Sequence, residues 1–232
     1  MSDVVLVVAP HPDDEVLGCG GSIVGHVGAG RQVFVVYLTS GERGSPWHAP
    51  GELGVLRERE ATEAMKVLGV PAENLLFLRI PDGGIDPAAL DQVGAVVEVL
   101  RRIRPVLLYL PHPDDASFDH REAFRLCWRA AGMAGSRNFP EWGPDPHWVA
   151  AVLGYEVWSP IAGPGYYEDI TDHLDRKLAA LACYGSQAAG AKGTGQAIHV
   201  GPSAAFLSGF RGASTVGGHR EAFVVLRAGR VI

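Results

Sequence analysis

The sequence predicts an α/β protein with a Rossmann-like, open and mostly parallel sheet that helices cover on both faces. Short, apolar, β-branched runs alternate with longer amphipathic segments, giving four consecutive strand-then-helix units. The first run, Val4–Ala9, is apolar throughout, which is typical of a central parallel strand buried on both faces. Glycine and proline punctuate the boundaries between these segments.

The first helix follows strand one after Pro10 and is predicted over residues 14–30. Gly18, Gly21 and Gly25 share one face of this helix, which would let it lie close to the sheet. The following elements are predicted as a strand at 32–39, a loop at 40–51, a helix at 53–68 that stops at Gly69, a strand at 75–80 and a turn at 81–84.

The second half of the chain has a less regular pattern. A helix is predicted at 87–104, a fourth strand at 106–110 and a further helix at 119–134. Asp119 and Glu122 have the spacing of a capping box at the start of that helix. The last predicted elements are a strand at 149–157, a helix at 172–184, a short helix at 204–210 and a strand at 222–226.

Composition limits the classes of protein to consider. With 232 residues, 47% hydrophobic and 20% charged, the chain is long and apolar enough for a buried core, and without a linker we expect one domain over 1–232. A net charge of -6 argues against nucleic acid and anionic membranes as partners. Three well-separated cysteines, with neither a signal-like start nor a long apolar run, predict a cytoplasmic protein.

Polar clusters follow the first and fourth predicted strands. Residues 10–15 read PHPDDE, and residues 111–120 read PHPDDASFDH. In open α/β sheets, ligands bind at the carboxyl ends of the strands, where both clusters lie. His11 and Asp14 are three residues apart at the mouth of a helix, so they can converge on one point while Asp13 projects elsewhere. This spacing suits two metal ligands and a base.

A histidine and a carboxylate suit Zn²⁺, which in catalytic sites takes three protein ligands and a water. We predict His120 as the third ligand, because the first turn of its helix would face the same crevice, with Asp115 or Asp119 orienting its ring. The metal would lower the pKa of water to about 7, and Asp13 would accept the remaining proton as general base. Fe²⁺ could occupy the same ligands.

The alternative interpretation of each residue is purely structural. An aspartate after a strand is often only a helix N-cap, and a single histidine at a helix start is usually solvated. Two histidine and aspartate clusters at equivalent strand ends are harder to explain in that way, so the pattern favours one metal site per subunit.

These residues resemble the PIG-L or LmbE-like family of zinc-dependent N-acetylglucosaminyl deacetylases. The specific motif is HPDDE at residues 11–15, followed by GCGG at 18–21. The resemblance covers most of the first 190 residues, with weaker likeness near the C-terminus. Its supporting segments are residues 38–42, 57–60, 81–84, 115–121 and 186–187, and more weakly 211–212 and 218–223.

The resemblance implies roles for the same residues. His11, Asp14 and His120 would be the zinc ligands and Asp13 the general base, in agreement with the argument from spacing. Arg57 would hold the substrate's sugar or its acidic substituent. Asp82 and Ser117 are also assigned to substrate binding, and a homo-oligomer, with a hexamer as one possibility, is implied.

The sequence departs from the family pattern at Ser117. The family usually has His-Pro-Asp-His where this chain has SFDH at 117–120, and the first histidine is thought to stabilise the oxyanion or protonate the leaving amine. Losing such a group commonly costs about 10²–10³ in rate. We expect His219 to replace it, because by resemblance its segment returns to the active-site face, with His112 as the second choice.

The resulting hypothesis is a zinc hydrolase in which metal-activated water attacks the N-acetyl group of a small molecule that contains N-acetylglucosamine. An N-acetylglucosaminyl malate of the bacillithiol type is the favoured substrate. Three alternatives stay open: a thiol-conjugate amidase of the same family, a non-catalytic metal-containing sugar-binding protein suggested by Ser117, and a nucleotide-binding α/β protein. The last is weakly supported, because Ile23 stands where GxGxxG needs its third glycine.

Overall fold

A computed structural model describes residues 4–188 and 200–229. In these residues the strands form one sheet in the order β3-β2-β1-β4-β5-β7-β6. Strands β1 to β5 are parallel, whereas β7 is antiparallel to both β5 and β6. The strands are β1 (Val4–Ala9), β2 (Gln32–Tyr37), β3 (Leu75–Phe77), β4 (Leu107–Pro111), β5 (Ala151–Tyr155), β6 (Tyr166–Asp169) and β7 (Arg220–Arg227).

Helices cover both faces of this sheet, and α1, α2 and α5 pack together on one face while α3 and α4 pack on the other. The predicted fold class is therefore confirmed. The helices are α1 (Asp14–Gly28), α2 (Pro50–Leu68), α3 (Leu90–Ile103), α4 (Phe118–Ala134), α5 (Leu174–Leu181), the single turn α6 (Gly185–Ala188) and α7 (Val200–Ala213).

Strand β1 shows why its sequence is apolar at every position. Successive side chains of a strand point to opposite faces, and each face of this sheet has its own apolar core. Val5 and Val7 pack into the core under α1 and α2, whereas Leu6 and Val8 pack into the core under α3 and α4. A central strand of this kind has no solvent-facing side, so its pattern does not alternate.

Helix α1 lies very close to the sheet, as its glycines predicted. A Cβ atom at Gly18 would lie 2.2 Å from the ring of Tyr155 in β5, which donates its hydroxyl hydrogen to the Val8 carbonyl. A Cβ at Gly21 would lie 2.4 Å from Ile170, in the segment after β6. The two glycines therefore leave room for Tyr155 in the sheet and for Ile170 in the segment after β6.

The C-terminal third differs most from the prediction. Strand β6 was not predicted, because Tyr166–Asp169 is a short, partly exposed edge strand without an apolar run. The antiparallel direction of β7 was also not predicted. The predicted helix at 172–184 is instead a 3₁₀ turn, Thr171–His173, followed by α5, and α7 is longer than the expected 204–210. The predicted strand at 75–80 ends at Phe77.

The predicted capping box at Asp119 and Glu122 is wrong. Helix α4 begins at Phe118 with Ser117 as its N-cap residue, and no side chain caps it. The Asp119 carboxylate instead accepts the Gly83 N–H at 2.9 Å and lies 3.2 Å from His11. The Asp119 carboxylate therefore makes contacts with Gly83 and His11, from other parts of the chain, and does not cap its own helix.

The order of the strands places a crevice at the ends of β1 and β4. From β1 the chain first moves outward through β2 and β3, and it then returns to place β4 on the other side of β1. Ligands bind at such switch points, outside the carboxyl ends of the strands. No helix of the described residues is both long and apolar enough to cross a membrane.

Candidate active site

His11, Asp14 and His120 converge at this crevice. His11 follows β1, Asp14 is the first residue of α1, and His120 lies in the first turn of α4. The Asp14 Oδ2 atom is 3.2 Å from His11 Nδ1 and 3.1 Å from His120 Nε2. One donor atom from each of the three residues lies within 4.8 Å of the others. The structure thus brings together the three predicted ligands.

The chemistry of this group fits a metal ion. His120 is fully buried, and its ring nitrogens lie 3.1 and 3.3 Å from carboxylate oxygens of Asp14 and Asp115, but neither contact has the geometry of a hydrogen bond. Unsatisfied buried donors or acceptors cost free energy, so two on one ring need an explanation. Tetrahedral Zn²⁺ with bonds of about 2.0–2.1 Å places its ligand atoms about 3.3 Å apart, close to the two distances from Asp14. A histidine, aspartate and histidine set is also the chemistry that Zn²⁺ prefers.

Each of these histidines has a carboxylate beside its other ring nitrogen. Asp115 Oδ1 lies 3.3 Å from His120 Nδ1, while Asp119 Oδ2 and Asp82 Oδ1 lie 3.2 and 3.3 Å from His11 Nε2. Carboxylates in this position fix the tautomer and orientation of metal-binding histidines. Asp115 therefore lies against His120 as expected, whereas Asp119 lies against His11 rather than against its neighbour in sequence.

The surrounding carboxylates change the pKa values of the rings. Burial lowers the pKa of His120, but the charge of Asp14 and contact with Asp115 outweigh burial and raise it to about 9. Burial also lowers the pKa of His11, and contacts with Asp119 and Asp14 raise it well above its usual range. Burial raises the pKa of Asp14, yet the two imidazoles hold it far below its usual range. Metal binding would therefore displace protons from both rings.

Asp13 lies beside this group in an unusual backbone conformation. Its φ of 123° is rare for a residue other than glycine, and such strain, worth about 1–3 kcal/mol, concentrates at functional sites. The buried Glu15 carboxylate accepts the Asp13 N–H at 3.0 Å and contacts Tyr184. Burial raises the pKa of Asp13 to about 7 despite the opposing charge of Arg57, whose Nη2 lies 3.3 Å from Asp13 Oδ2.

The structure gives the predicted substrate-binding residues other partners as well. Arg57 is buried and donates to the carbonyl oxygens of Pro12 and Gly41, so it holds the loop around Asp13. Asp82 accepts the Arg43 N–H at 2.9 Å in addition to contacting His11. Both Arg57 and Asp82 still line the cavity, whereas Ser117 does not.

The two histidines considered as replacements for the family's missing one do not reach this group. His219 lies 3.0 Å from the Ser208 hydroxyl in α7, and its N–H is bonded to Thr171. The expectation that its segment returns it to the site is therefore not met, because β7 lies beyond β5, two strands away from β4, and the His219 ring is engaged there. The ring of His112 contacts the Ser159 carbonyl at 2.9 Å instead.

The described residues enclose an open cavity of about 230 Å³ over the site. Four of its residues, Arg43, Gly44, Trp158 and Gln187, had no predicted role. Trp158 follows β5, and its place after a predicted strand was the one signal for it in the sequence. The complete lining is His11, Asp13, Asp14, Arg43, Gly44, Arg57, Asp82, Trp158 and Gln187.

Comparison with known families decides the class to which this site belongs. The family described as PIG-L, GlcNAc-PI de-N-acetylase, matches residues 6–131, which include His11, Asp13, Asp14 and His120. The chain belongs to this family. The predicted family is thus confirmed.

Named relatives of this PIG-L protein are deacetylases. The diacetylchitobiose deacetylase of Thermococcus kodakarensis is 32% identical over 192 residues, covering 79% of this chain and 69% of the relative. The 1D-myo-inositol 2-acetamido-2-deoxy-alpha-D-glucopyranoside deacetylase of Rhodococcus opacus is 32% identical over 181 residues, covering 66% of this chain and 61% of that protein. Both relatives are hydrolases, which is the enzyme class that the sequence predicted.

Solved structures share the whole fold with this PIG-L chain. The conserved protein TT1542 of Thermus thermophilus is 30% identical with a TM-score of 0.82, and the match covers 100% of this chain and 98% of the other. The 4-carboxy-2-hydroxymuconate hydratase of Pseudomonas putida also gives a TM-score of 0.82, with 24% identity, 99% of this chain and 98% of the other covered. The second likeness concerns the fold alone, and it shows that the fold does not decide the reaction.

Proposed function

We propose that this protein is a zinc-dependent deacetylase that hydrolyses the N-acetyl group of a small molecule containing N-acetylglucosamine. One observation carries the proposal. His11, Asp14 and His120 converge beside a cavity that Asp13 also lines, in a member of a family whose named relatives remove such acetyl groups. The metal would be held by those three residues, with Fe²⁺ as the alternative ion.

The roles of the residues follow from their positions. When bound, Zn²⁺ supplies polarisation of the amide carbonyl and lowers the pKa of water. Asp13 lines the same cavity, which supports its proposed role as the base that accepts the proton lost by the attacking water. Arg57 contacts the Asp13 carboxylate, and Glu15 accepts the Asp13 backbone N–H. Both contacts fix the position of Asp13. Asp115, Asp119 and Asp82 keep the two imidazoles oriented.

The identity of the substrate beyond N-acetylglucosamine is a separate part of the proposal. The two named relatives act on diacetylchitobiose and on an inositol glycoside. We retain an N-acetylglucosaminyl malate of the bacillithiol type as the favoured substrate, and the exposed Arg43 at the cavity is a suitable partner for its acidic group. A cytoplasmic homo-oligomer with one domain over 1–232 completes the proposal.

The decisive experiment measures amine release by zinc-loaded protein from N-acetylglucosaminyl malate, diacetylchitobiose and free N-acetylglucosamine. We expect turnover of at least one glycoside, and we expect Asp13→Asn to lower the rate by about 10²–10⁴ without changing the zinc content. An Asp13→Asn variant as fast as the wild type would remove Asp13 from the mechanism. Release from a thiol conjugate but from none of these three would favour the amidase.

One observation supports a second candidate, a metal-containing sugar-binding protein without turnover. Ser117 replaces the family's histidine, and His112 and His219 are engaged elsewhere among the described residues. Among the described residues, the cavity lining therefore offers no third imidazole from which the leaving amine could take a proton. This candidate predicts sugar binding without amine release, whereas activity in the wild type, or activity gained by Ser117→His, would contradict it.

A further inference from the structure

We propose that Trp158 selects cyclic sugar substrates by packing its indole ring against the pyranose ring. This inference rests on the proposed deacetylase function and deepens it. In this inference, the Trp158 side chain makes the protein prefer an amide on a sugar ring over an acyclic amide. The metal-ligand group and Asp13 would act on either amide, because they meet only the acetamido group.

The first argument is the composition of the cavity. Among the described residues that line it, Trp158 is the only one with a large apolar side chain, and the others are charged, polar or glycine. Trp158 is 49% exposed. A hexopyranose carries hydroxyl groups around its rim and apolar C–H groups on its ring faces. Binding sites commonly combine a few polar groups with an aromatic surface, which is the combination present here.

The second argument is the rigid attachment of the Trp158 segment. The Trp158 backbone N–H donates to Asp115 Oδ2 at 3.0 Å, and the Ser159 carbonyl contacts the His112 ring at 2.9 Å. Glu156 accepts the Ile161 N–H at 2.8 Å. A binding surface that is ordered before the ligand arrives loses less conformational entropy on binding.

Arg211 anchors the same segment from helix α7. Its guanidinium donates to both oxygens of Glu156, at 3.0 and 2.7 Å, and to the Ile161 carbonyl at 2.7 Å. Arg211 and Glu156 are both buried, so this pair is protected from solvent screening. The loop that presents the indole is therefore fastened at both ends.

The third argument concerns the link between the backbone of the Trp158 segment and the predicted metal ligands. The Asp115 carboxylate that accepts the Trp158 N–H through one oxygen contacts His120 through the other, at 3.3 Å. Asp115 thus contacts both the backbone of the Trp158 segment and His120, a predicted metal ligand. A sugar ring placed on the indole would keep a fixed position relative to the metal site, which is the requirement for a productive orientation.

The experiment compares the wild type with Trp158→Ala, Trp158→Phe and Trp148→Ala. Trp148 is a matched control because it is similarly exposed, at 61%, but packs on Arg227 near the opposite edge of the sheet. Calorimetry measures the Kd of diacetylchitobiose and of acyclic N-acetylethanolamine for zinc-loaded and metal-free protein. Amine release gives kcat and KM for the same two amides.

For Trp158→Ala we expect the Kd and KM of diacetylchitobiose to rise about 3- to 12-fold, which corresponds to the energy of one aromatic contact. We expect kcat, zinc content and all values for N-acetylethanolamine to change less than twofold. Trp158→Phe keeps a ring and retains most of the sugar affinity, and Trp148→Ala behaves as the wild type.

Three outcomes would overturn the inference. Equal sugar Kd in Trp158→Ala and Trp148→Ala would show that the indole does not contact the sugar. A fall in kcat together with zinc content would show that the indole only supports the position of its own loop, whose backbone holds Asp115 beside His120. A wild type that binds no sugar would remove the substrate class itself. Amine release by the wild type tests the deacetylase proposal separately. Failure of that proposal can therefore be distinguished from failure of the inference about Trp158.

Discussion

Two regions of this molecule bury charged side chains, and they treat them differently. One region joins α1, α5 and β7 at the outer part of the sheet, and the other is the crevice between β1 and β4. Both contain carboxylates and cations with little exposure to solvent. They differ in whether the polar atoms find partners within the chain.

In the outer region every polar atom of the central ion pair has a partner. Lys177 Nζ donates to Glu221 Oε1 and to the Leu17 carbonyl, both at 2.7 Å. Glu221 also accepts the N–H groups of Gly21 and Ser22, each at 2.8 Å. These contacts join β7 to the middle of α1. They lie at the part of the sheet that the sequence predicted least well.

In the crevice the partners are incomplete. Both nitrogens of His120 and the Nε of Arg57 lack hydrogen bonds among the described residues, and Asp13 has a strained backbone. Donor atoms of His11, Asp14 and His120 nevertheless point to one place. Buried charges that satisfy one another stabilise a fold. Two buried imidazoles that share one carboxylate oxygen, with hydrogen bonds missing on His120, instead indicate a ligand site.

The largest effect should come from breaking the satisfied pair. Lys177→Met leaves the Glu221 carboxylate buried without its cation, so we expect a loss of about 3–5 kcal/mol in the free energy of unfolding. Urea denaturation measures this loss. The control is Lys66→Met, because Lys66 forms an exposed pair with Glu63 at 3.9 Å and should change stability by less than about 1 kcal/mol.

Zinc binding should survive in Lys177→Met wherever the variant is folded. A normal zinc affinity in this destabilised protein would separate the two regions, since one supports the fold and the other holds the metal. Equal stability losses for Lys177→Met and Lys66→Met would instead show that burial of the outer pair has no energetic consequence, and the comparison would fail on that side.

The second-largest effect concerns the crevice group of His11, Asp14 and His120. At a zinc concentration 100 times the Kd, binding should stabilise the wild type by about 2.7 kcal/mol, and His120→Ala should abolish this gain. Thermal unfolding with and without zinc measures it. His147→Ala is the control, because His147 contacts the Pro105 carbonyl at 2.7 Å, at the start of β4 and away from the crevice. Undiminished stabilisation of His120→Ala by zinc would exclude His120 as a ligand.

The sequence alone predicted the frame of the sheet and the place of the site, because both depend on local patterns. Strand β1 has to be apolar on both faces, and the polar residues at 10–15 and 111–120 follow strands that end at the same edge. The ends of parallel strands meet whatever the details of packing. His11, Asp14 and His120 could therefore be grouped from the sequence alone.

The errors arise where tertiary contacts override local spacing. Asp119 has the spacing of a helix cap, but His11 and Gly83 hold its carboxylate. His219 was placed by analogy, but β7 lies beyond β5 in the sheet, and there the His219 ring contacts Ser208 instead. Trp158 lies at the third strand end of the same edge, but a single tryptophan has no motif by which spacing could identify it.

The smallest effect tests whether the carboxylates outside the ligand group belong to the site or to the fold. Asp119→Asn can still accept the Gly83 N–H through its amide oxygen, but it brings no negative charge to His11 Nε2. We expect zinc affinity to fall about 10- to 100-fold with little change in stability, as is usual for a carboxylate that orients a metal-bound histidine. Competition with a fluorescent chelator measures the zinc Kd. Asp169→Asn is the matched control, because Asp169 also accepts a backbone N–H, from Thr171 at 3.0 Å, but on the exposed outer strand. If both variants bind zinc as the wild type does, Asp119 serves only to hold the Gly83 turn. In that case the difference between the two regions would be confined to the three converging residues, and the carboxylates around them would count as structure.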